Sequence, residues 1–411
     1  MSSVVPEGWV RIDLEEGVSA LISGQSPNRK ENRATGDAFG ILKTTAIHWG
    51  RFDEKQNQEV LDDYEPNKKH LVLENDILIT KAGPTHRVGV VAQARNLRSN
   101  VLLSGKMTAL RVNDRFTPDF LTYALCQEEA QNHLKANTTG MASSQTNFTH
   151  DALLRVPILS PPLPEQKKIA SILTSVDEVI ENTQKQINKL QDLKKATMNE
   201  LLTKGIGHTE FKDSELGRIP KSWEVYELGQ LCMFTQGVQI SLDETLRTTR
   251  EGYIRYLYIN DFSSEKNLRF IKDEFPAKIV KDEDLVMANT GHSAGTIFRG
   301  KHGVLSNNAF KISIKKYIKS EYLFHFLSTD NYWFNIGKLF NTAGQPHVGH
   351  GNIAQLHFLC PPLDEQDKII SIIQKIDQNI LNKNRKLHQT QSLKKSLMQD
   401  LLTGKVRVTV N

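Results

Sequence analysis

Several short motifs in this chain carry side chains that could do chemistry. Gly291 to Gly295 reads Gly-His-Ser-Ala-Gly, which fits a serine nucleophile between two glycines, a pattern that requires a strand before the serine and a helix after it. The residues after Ser293 favour a second strand, and the matching stretch from Gly83 to Gly89 has no serine. A hydrolase is therefore not favoured. The glycines are better explained as turn residues that let a loop approach a ligand.

Metal and cofactor motifs are weak. His347 and His350 lie three residues apart, but no cysteine lies nearby and no helix is expected there, so a zinc site is not favoured. The sequence has no Gly-rich loop ending in Gly-Lys-Ser/Thr, and no Gly-x-Gly-x-x-Gly. We therefore predict no catalytic residue, no metal and no cofactor in this chain.

The polar loops are better interpreted as contact surfaces. Ser, Asn, Gln, His, Arg and Lys side chains supply the donors and acceptors that suit base edges and phosphates. The candidate contacts in the first half are Arg29, Lys30, Lys81, His86, Arg87, Lys106, Ser144 and Gln145. In the second half they are His292, Ser293, Arg299, Lys301, Asn307, Lys311, Lys315, Gln345 and His347.

The distribution of charge supports this interpretation. The net charge of +5 is too small to indicate nucleic acid by itself, but residues 77–113 and 285–320 contain no Asp or Glu and six Lys or Arg each. Two acid-free basic windows at equivalent places predict two phosphate-facing surfaces. The alternative is that these residues only solvate strand edges.

The elements that must position these loops form an internal repeat. Residues 161–203 match residues 361–403 without a gap, with 20 of 43 positions identical. Both copies begin with Pro-Pro-Leu-x-Glu-Gln, and the segments before them open alike, at Trp9 and at Trp223. The chain is therefore one long unit written twice, a feature that has to be recognised before any fold is assigned.

The predicted fold is α+β. Short apolar runs separated by Gly, Asn and Pro indicate strands, among them residues 77–79, 88–92, 108–112, 285–287 and 309–314, while residues 120–126 and 322–327 indicate helices. We predict a first module at residues 1–160, a helix at 161–204, a second module at 205–360, and a second helix with its tail at 361–411. Three cysteines without paired spacing, and no apolar run long enough to span a membrane, predict a cytoplasmic protein.

The two repeated segments carry matching heptads of apolar residues. Each predicts a helix of about 40 residues that cannot bury its apolar stripe alone. The simplest solution is an antiparallel pair around a pseudo-two-fold axis; the alternative is two independent helices, each lying on its own module. The positions proposed for the spacer or for partner binding are Glu165, Gln166, Leu173, Ile180, Ile187, Glu365, Gln366, Ile373, Ile380 and Leu387. Alternating Val406, Val408 and Val410 predict a strand near the first module.

The doubled Pro-Pro-Leu-x-Glu-Gln-x-Lys-Ile helix, each copy following a module that opens at Trp9 or Trp223, resembles the specificity subunit of type I restriction-modification systems. The resemblance covers essentially the whole chain. It implies two target recognition domains that read the two halves of a split DNA sequence. The helices would form a spacer that sets the gap and docks two adenine methyltransferase subunits, and restriction/translocase subunits would join the complex.

The resemblance also implies that S-adenosylmethionine, ATP and Mg²⁺ act in partner subunits. It transfers no base-reading residue, because the loops of the two modules share no pattern. Two alternatives remain open: an orphan specificity protein that serves a methyltransferase, or competes for one, without a nuclease, and a coiled-coil adaptor without sequence-specific DNA contacts. An enzyme would rest on Ser293 alone.

Overall fold

A computed structural model describes residues 5–61, 63–98, 100–142, 144–338 and 346–410 of the chain. The chain divides into two compact units: unit 1 comprises Met1–Thr183 with Lys386–Asn411, and unit 2 comprises Gln184–Arg385. The division falls within the two long helices, so each unit contains one α+β module and a part of each helix.

The module of unit 1 is built from short strands around small sheets. Its strands are β1 Val10–Asp13, β2 Val18–Ser23, β3 Gly40–Leu42, β4 Ile47–His48, β5 Arg51–Phe52, β6 Asn57–Glu59, β7 Ile77–Thr80, β8 Ala82–Gly83, β9 Val91–Gln93, β10 Val101–Leu102, β11 Met107–Val112, β12 Thr138–Ala142, β13 Gln145–Phe148 and β14 Pro157–Ser160. Its helices are α1 Pro118–Leu125, α2 Glu128–Ala136, α3 His150–Leu154 and the first part of α4 Leu163–Lys204.

The module of unit 2 repeats this plan. Its strands are β15 Phe211–Ser214, β16 Gly217–Pro220, β17 Glu224–Glu227, β18 Cys232–Gln236, β19 Tyr253–Leu257, β20 Phe270–Lys272, β21 Ile279–Val280, β22 Leu285–Ala288, β23 Ile297–Arg299, β24 Gly303–Leu305, β25 Ala309–Ile314 and β26 His357–Cys360. Its helices are α5 Leu228–Leu231, α6 Ser320–Phe326, α7 Asp330–Gly337, α8 His350–Ala354 and part of α9 Leu363–Leu402.

The internal repeat is also seen in the strand order of the main sheet of each unit. The four-stranded antiparallel sheet of unit 1 has the order β2-β11-β7-β9, and that of unit 2 has the equivalent order β18-β25-β22-β23. In each module the strand that follows the first tryptophan pairs with the strand that leads into the long helix, as β1 after Trp9 with β14 and β17 after Trp223 with β26. The central strands β7 and β22 are fully buried runs of mainly aliphatic residues, which explains why they lie inside their sheets.

The long helices pack antiparallel, as predicted. In unit 1, Ile169 and Leu173 near the start of α4 share a core with Leu401 and Leu402 near the end of α9. In unit 2 the roles are exchanged, and Ile369 and Ile373 of α9 pack with Met198 and Leu202 of α4. Each fully buried aliphatic side chain of this kind stabilises the fold by about 1.5–3 kcal/mol. The helices contain 42 and 40 residues, close to the predicted length.

Most of the predicted elements are confirmed, with three differences. The predicted strand at 88–92 is shorter and begins at Val91, after a 3-10 turn at Thr85–Arg87. Residues 405–410 form no strand, so the expectation from the three valines is wrong; Arg407 instead contacts Glu165, and Val408 packs on the core of unit 1. Helices α2, α3, α5, α7 and α8 were not predicted, and α8 begins at His350, where no helix was expected.

Candidate nucleic-acid interface

Four polar segments of unit 1 meet at one end of its main sheet, and we call them the first loop cluster (residues 24–29, 81–86, 104–106 and 144–147). Gln25 N donates to Leu103 O at 3.0 Å, and Lys81 N donates to Lys106 O at 2.9 Å. Strand β13 pairs with β8 through Thr146 and Gly83. The sequence had placed these segments far apart, and the fold brings them together.

Unit 2 builds an equivalent second loop cluster (residues 237–239, 289–293, 306–308 and 346–347) with the same backbone bonds. Val238 N donates to Leu305 O at 2.8 Å, and Asn289 N donates to Asn308 O at 3.0 Å. Gly291 N donates to Pro346 O at 2.9 Å, which adds the fourth segment. Of the predicted contacts, His292, Ser293, Asn307 and His347 lie here, while Gln345 lies outside the described residues.

Two glycines make these clusters possible. A Cβ atom on Gly24 would lie 1.9 Å from the carbonyl oxygen of Ser104, and one on Gly237 would lie 2.0 Å from that of Ser306. Real Cβ atoms cannot approach a backbone oxygen so closely. The loop after the first strand of each sheet can therefore cross the neighbouring loop only with glycine at this position.

The first loop cluster carries cations that no acidic group in the described parts of the chain neutralises. Arg29 and Lys106 are exposed and line a cleft of about 730 Å³ together with Lys43. Among the described residues, the side chains of Arg29, Lys81 and Lys106 form no ion pair and no hydrogen bond. Partial burial lowers the pKa of the neighbouring His150, and the positive charge of Lys81 lowers it further. His86, Ser144 and Gln145 are exposed on the same cluster.

Other basic residues of the first window are engaged within the module. Arg87 donates to the carbonyl oxygens of Thr44 and Ile47, and Arg111 forms a salt bridge with the buried Asp76 at 2.9 Å. Lys30, from outside the window, pairs with Glu59 at 2.8 Å. These bonds hold loops in place, so Arg87 and Arg111 already have partners within the module.

The basic side chains predicted in the second window are engaged in the same way. Arg299 pairs with Glu321 at 2.7 Å, and Lys301 with Glu265 at 2.8 Å. Lys311 donates to Ile279 O and Lys315 to Gly229 O, at 2.8 and 2.9 Å. None of these four contacts belongs to the second loop cluster. The acid-free run in the sequence did not reveal these bonds, because the acidic and carbonyl partners come from other segments of the module.

Sequence reasoning missed three residues that the structure places in or beside the clusters, namely Lys43, Gln239 and Asn289. Asn289 is 4% exposed, and its Oδ1 has no hydrogen-bond partner among the described residues; the same holds for the buried Ser306 Oγ. Aligning Gly83 with Gly291 would have matched Lys81 to Asn289, so a signal for this position was present. Nothing in the sequence singled out Lys43.

The serine motif has no catalytic arrangement. Ser293 Oγ lies 3.2 Å from His292 Nε2, but the residues after it form turns and then β23, so the helix that the motif requires is not formed. Among the described residues, no group of three or more His, Cys, Asp or Glu side chains could hold a metal ion. In the same part of the chain, no helix is both long and apolar enough to cross a membrane.

The Glu-Gln pair at the start of each helix ties the helix to its module. In unit 1, Glu165 accepts from Trp9 Nε1 at 3.0 Å and binds Arg407 in a two-pronged ion pair. Gln166 bridges the backbone, since it accepts from Thr117 N at 3.0 Å and donates to Arg115 O at 2.9 Å. The motif is therefore a joint, which explains why it is the strongest part of the repeat.

The joint in unit 2 is built from the equivalent residues. Glu365 accepts from Trp223 Nε1 at 2.9 Å, from Ile206 N at 2.9 Å and from His208 Nε2 at 2.7 Å. Gln366 accepts from Lys319 N at 2.8 Å and donates to Tyr317 O at 2.9 Å. In both units the segment that follows the end of one long helix returns to the glutamate at the start of the other.

Each unit also contains a salt bridge between the long helices. Asp177 pairs with Lys394 at 2.7 Å in unit 1, and Lys194 pairs with Asp377 at 2.6 Å in unit 2. These residues are related by the 200-residue repeat. The same lysine–aspartate ion pair between α4 and α9 is therefore formed once in each unit.

A side chain from the module approaches each of these salt bridges. In unit 1, Tyr123 donates to Asp177 at 2.8 Å, and burial raises the pKa of Tyr123. In unit 2 the equivalent residue is His325, which is 1% exposed. Burial, with Lys194 and Arg299 nearby, lowers the pKa of His325 to about 4 against the opposing effect of Glu321 and Asp377.

The predicted spacer positions lie where the heptad requires them. Leu173, Ile180, Ile187, Ile373 and Leu387 are buried, and Ile380 is half-buried. Six large apolar side chains of α4 and α9 are exposed. Four of them form two repeat-related pairs, Leu163 with Leu363 and Leu193 with Leu393, and the other two are Val179 and Leu381.

Comparison with known sequences agrees with this architecture. Residues 6–192 and 220–390 each match the profile described as "Type I restriction modification DNA specificity domain". The chain is 29% identical to the type I restriction enzyme MjaVIII specificity subunit of Methanocaldococcus jannaschii, over 98% of this chain and 94% of that protein. It is also 29% identical, over 46% of this chain and 32% of the relative, to the type I restriction enzyme EcoEI specificity subunit of Escherichia coli.

Solved structures share the fold. The type I restriction-modification S subunit from M. genitalium superimposes with a TM-score of 0.59 at 16% identity, covering 98% of this chain and 97% of that one. A chain from a study of complex assembly and conformational transition of the type I R-M system gives a TM-score of 0.61 at 14% identity, covering 98% and 100%. With two matched domains that span most of its length, this chain belongs to the family of type I restriction-modification DNA specificity proteins.

Proposed function

We propose that this chain is the non-catalytic recognition subunit of a type I restriction-modification complex, and that each module reads one half of a bipartite DNA target. One observation carries the proposal: the two loop clusters have the same backbone framework but different side chains. Lys81 and Lys106 occupy the places that Asn289 and Asn308 occupy in unit 2. Two equivalent surfaces with different chemistry suit two different half-sites, so the target is asymmetric.

The helix pair would set the gap between the half-sites. Salt bridges and a packed core on both sides of the helix midpoints support a stiff spacer. Proteins that read two half-sites through a rigid connection fix the distance between them. The repeat-related exposed leucines of α4 and α9 are the surface that we assign to two adenine methyltransferase subunits, since repeated sites suit two copies of one partner.

Restriction/translocase subunits would complete the complex, and S-adenosylmethionine, ATP and Mg²⁺ would bind in the partner subunits. The chemistry would then reside outside this chain. In contrast, an orphan specificity protein would act with a methyltransferase alone, and an adaptor would tolerate neutralisation of the loop clusters.

The first test is to map methylated adenines across the genome of cells with and without this gene. We expect a split, asymmetric motif that disappears with the gene. An unchanged methylation pattern would contradict sequence recognition and favour the adaptor. Separate deletion of the nuclease partner's gene distinguishes the full complex from the orphan, because only the full complex then loses restriction of unmodified DNA.

The spacer is tested by inserting one heptad into each helix, after Thr183 and after Arg385, where the two units divide. A heptad preserves the buried face and lengthens each helix by about 10 Å, which corresponds to about three base pairs of DNA. We expect a gap longer by that amount with both half-sites unchanged. Loss of one half-site with an unchanged gap would show that the helices do not act as a ruler.

A further inference from the structure

The two loop clusters can be compared residue by residue because their backbones are bonded alike. Gly24 N donates to Met107 O and Gly237 N to Ala309 O, while the amide of Lys81 donates to Lys106 O as that of Asn289 donates to Asn308 O. Lys106 and Asn308 each stand directly before the central strand β11 or β25. The side chains at these two pairs of positions therefore face equivalent surroundings.

The first cluster presents donors alone at these positions. A lysine ammonium carries three donors and no acceptor, and an arginine guanidinium carries five. Arg29, Lys81 and Lys106 have no ion pair or side-chain hydrogen bond within the described parts of the chain, whereas Arg87 and Lys30 nearby are engaged. A ligand that satisfies this surface must supply acceptors.

The second cluster presents amides at the same positions. An amide side chain offers a donor and an acceptor together. Asn308 is exposed, and Asn307 Nδ2 donates to Gln239 Oε1 at 3.1 Å. The buried Oδ1 of Asn289 has no partner among the described residues, which is costly unless a ligand supplies a donor. A ligand that satisfies this surface must offer both donors and acceptors.

These two requirements match different bases. In the major groove, guanine presents two acceptors, N7 and O6, which suit Lys or Arg, while adenine presents the N7 acceptor beside the N6 donor, which suits Asn or Gln. We infer that Lys106 of the first cluster reads a guanine and that Asn308 of the second cluster reads an adenine. This inference rests on the proposed function and assigns the chemical class of base to each module.

The test exchanges the two residues in the full chain, expressed with its methyltransferase partner. Lys106→Asn should change one position of one half-site from guanine towards adenine, and Asn308→Lys should change one position of the other half-site from adenine towards guanine. A good base contact discriminates by about 1–3 kcal/mol, so methylation at the original sequence should fall roughly 5- to 140-fold relative to the new one. Sequencing of methylated adenines reports both halves at once.

Two further variants keep the test decisive. Lys106→Arg retains donors that suit guanine, so guanine should remain the preferred base at that position, whereas Lys106→Asn should lose this preference because the donors are removed. Lys55→Asn removes an exposed lysine outside the cluster and should leave the motif unchanged.

Three results would overturn the inference. The first is an unchanged motif in both exchange variants, and the second is a half-site for the first module without a G·C pair. The third is an equal loss of methylation at all sequences in Lys106→Asn, which would assign Lys106 to a phosphate. If the unchanged chain directs methylation to no sequence motif at all, the proposed function itself fails. This outcome distinguishes failure of the proposed function from failure of the base assignment.

Discussion

Replacing Glu365 with Ala should destabilise unit 2 strongly, because this carboxylate accepts three hydrogen bonds at the joint between module and helix. The donors are Trp223 Nε1, Ile206 N and His208 Nε2, all within 3.0 Å. A buried donor left without a partner costs about 1–3 kcal/mol, and water entering the space would relieve part of that cost. We therefore expect a loss of about 3 kcal/mol in the free energy of unfolding of this unit.

The assay is differential scanning calorimetry of the variant against Asp364→Ala. Asp364 is the preceding residue and carries the same charge, but it is exposed, and its ion pair with Lys368 is long, at 3.6 Å. For a unit of this size, a loss of about 3 kcal/mol lowers the Tm by roughly 6–12 °C. The control should shift the Tm only slightly, since exposed ion pairs contribute about 0–1 kcal/mol. Equal shifts in the two variants would refute the idea that Glu365 holds the joint together.

Three further predictions concern the buried histidine, the crossing loops and the free cations. The pKa of His325 is about 4 in the folded chain and about 6.5 in the unfolded chain, so the unfolded chain binds more protons between these two values. The free energy of unfolding should therefore fall by about 3 kcal/mol as the pH drops from 6.5 to 4. His325→Tyr should flatten this pH dependence in urea titrations between pH 4 and 7. Gly237→Ala should abolish recognition of one half-site in methylation mapping, while Gly351→Ala, which has open space around it, should not. Replacing Arg29 and Lys81 together with Gln should reduce the salt dependence of DNA binding, measured by fluorescence anisotropy, by about one per phosphate contact removed, and an unchanged slope would exclude phosphate contacts for both.

The repeat was the part of the fold that the sequence predicted best. The Glu-Gln pair stood out as a motif because at least four contacts at each joint depend on it, and heptad spacing predicted the burial of Leu173 and Ile373. Strands β7 and β22 were predictable because they are fully buried and contain almost only apolar residues. Helices α2 and α7 were missed because their exposed faces are polar or aromatic without a clear period.

The sequence could not show which basic side chains are available to a ligand, for a physical reason. A basic side chain is available to a ligand only if no acidic group or carbonyl oxygen binds it, and those partners come from distant segments. Arg299 shows this, since its partner Glu321 lies in a helix beyond two further strands. Lys106, by contrast, is exposed with no partner in the described residues, which only the folded chain could reveal.

Unit 1 is made of two separate segments of the chain, which affects how it folds during synthesis. Unit 2 is one continuous segment, from Gln184 to Arg385, whereas unit 1 needs the residues from Lys386 onward to cover its core and to pair Arg407 with Glu165. The module that leaves the ribosome first is therefore the one that is completed last. Domains generally fold in the order of their synthesis. Here the second module can reach its native state while the first still exposes Ile169 and Leu173, which makes the nascent first module the part of the chain that most needs protection from aggregation.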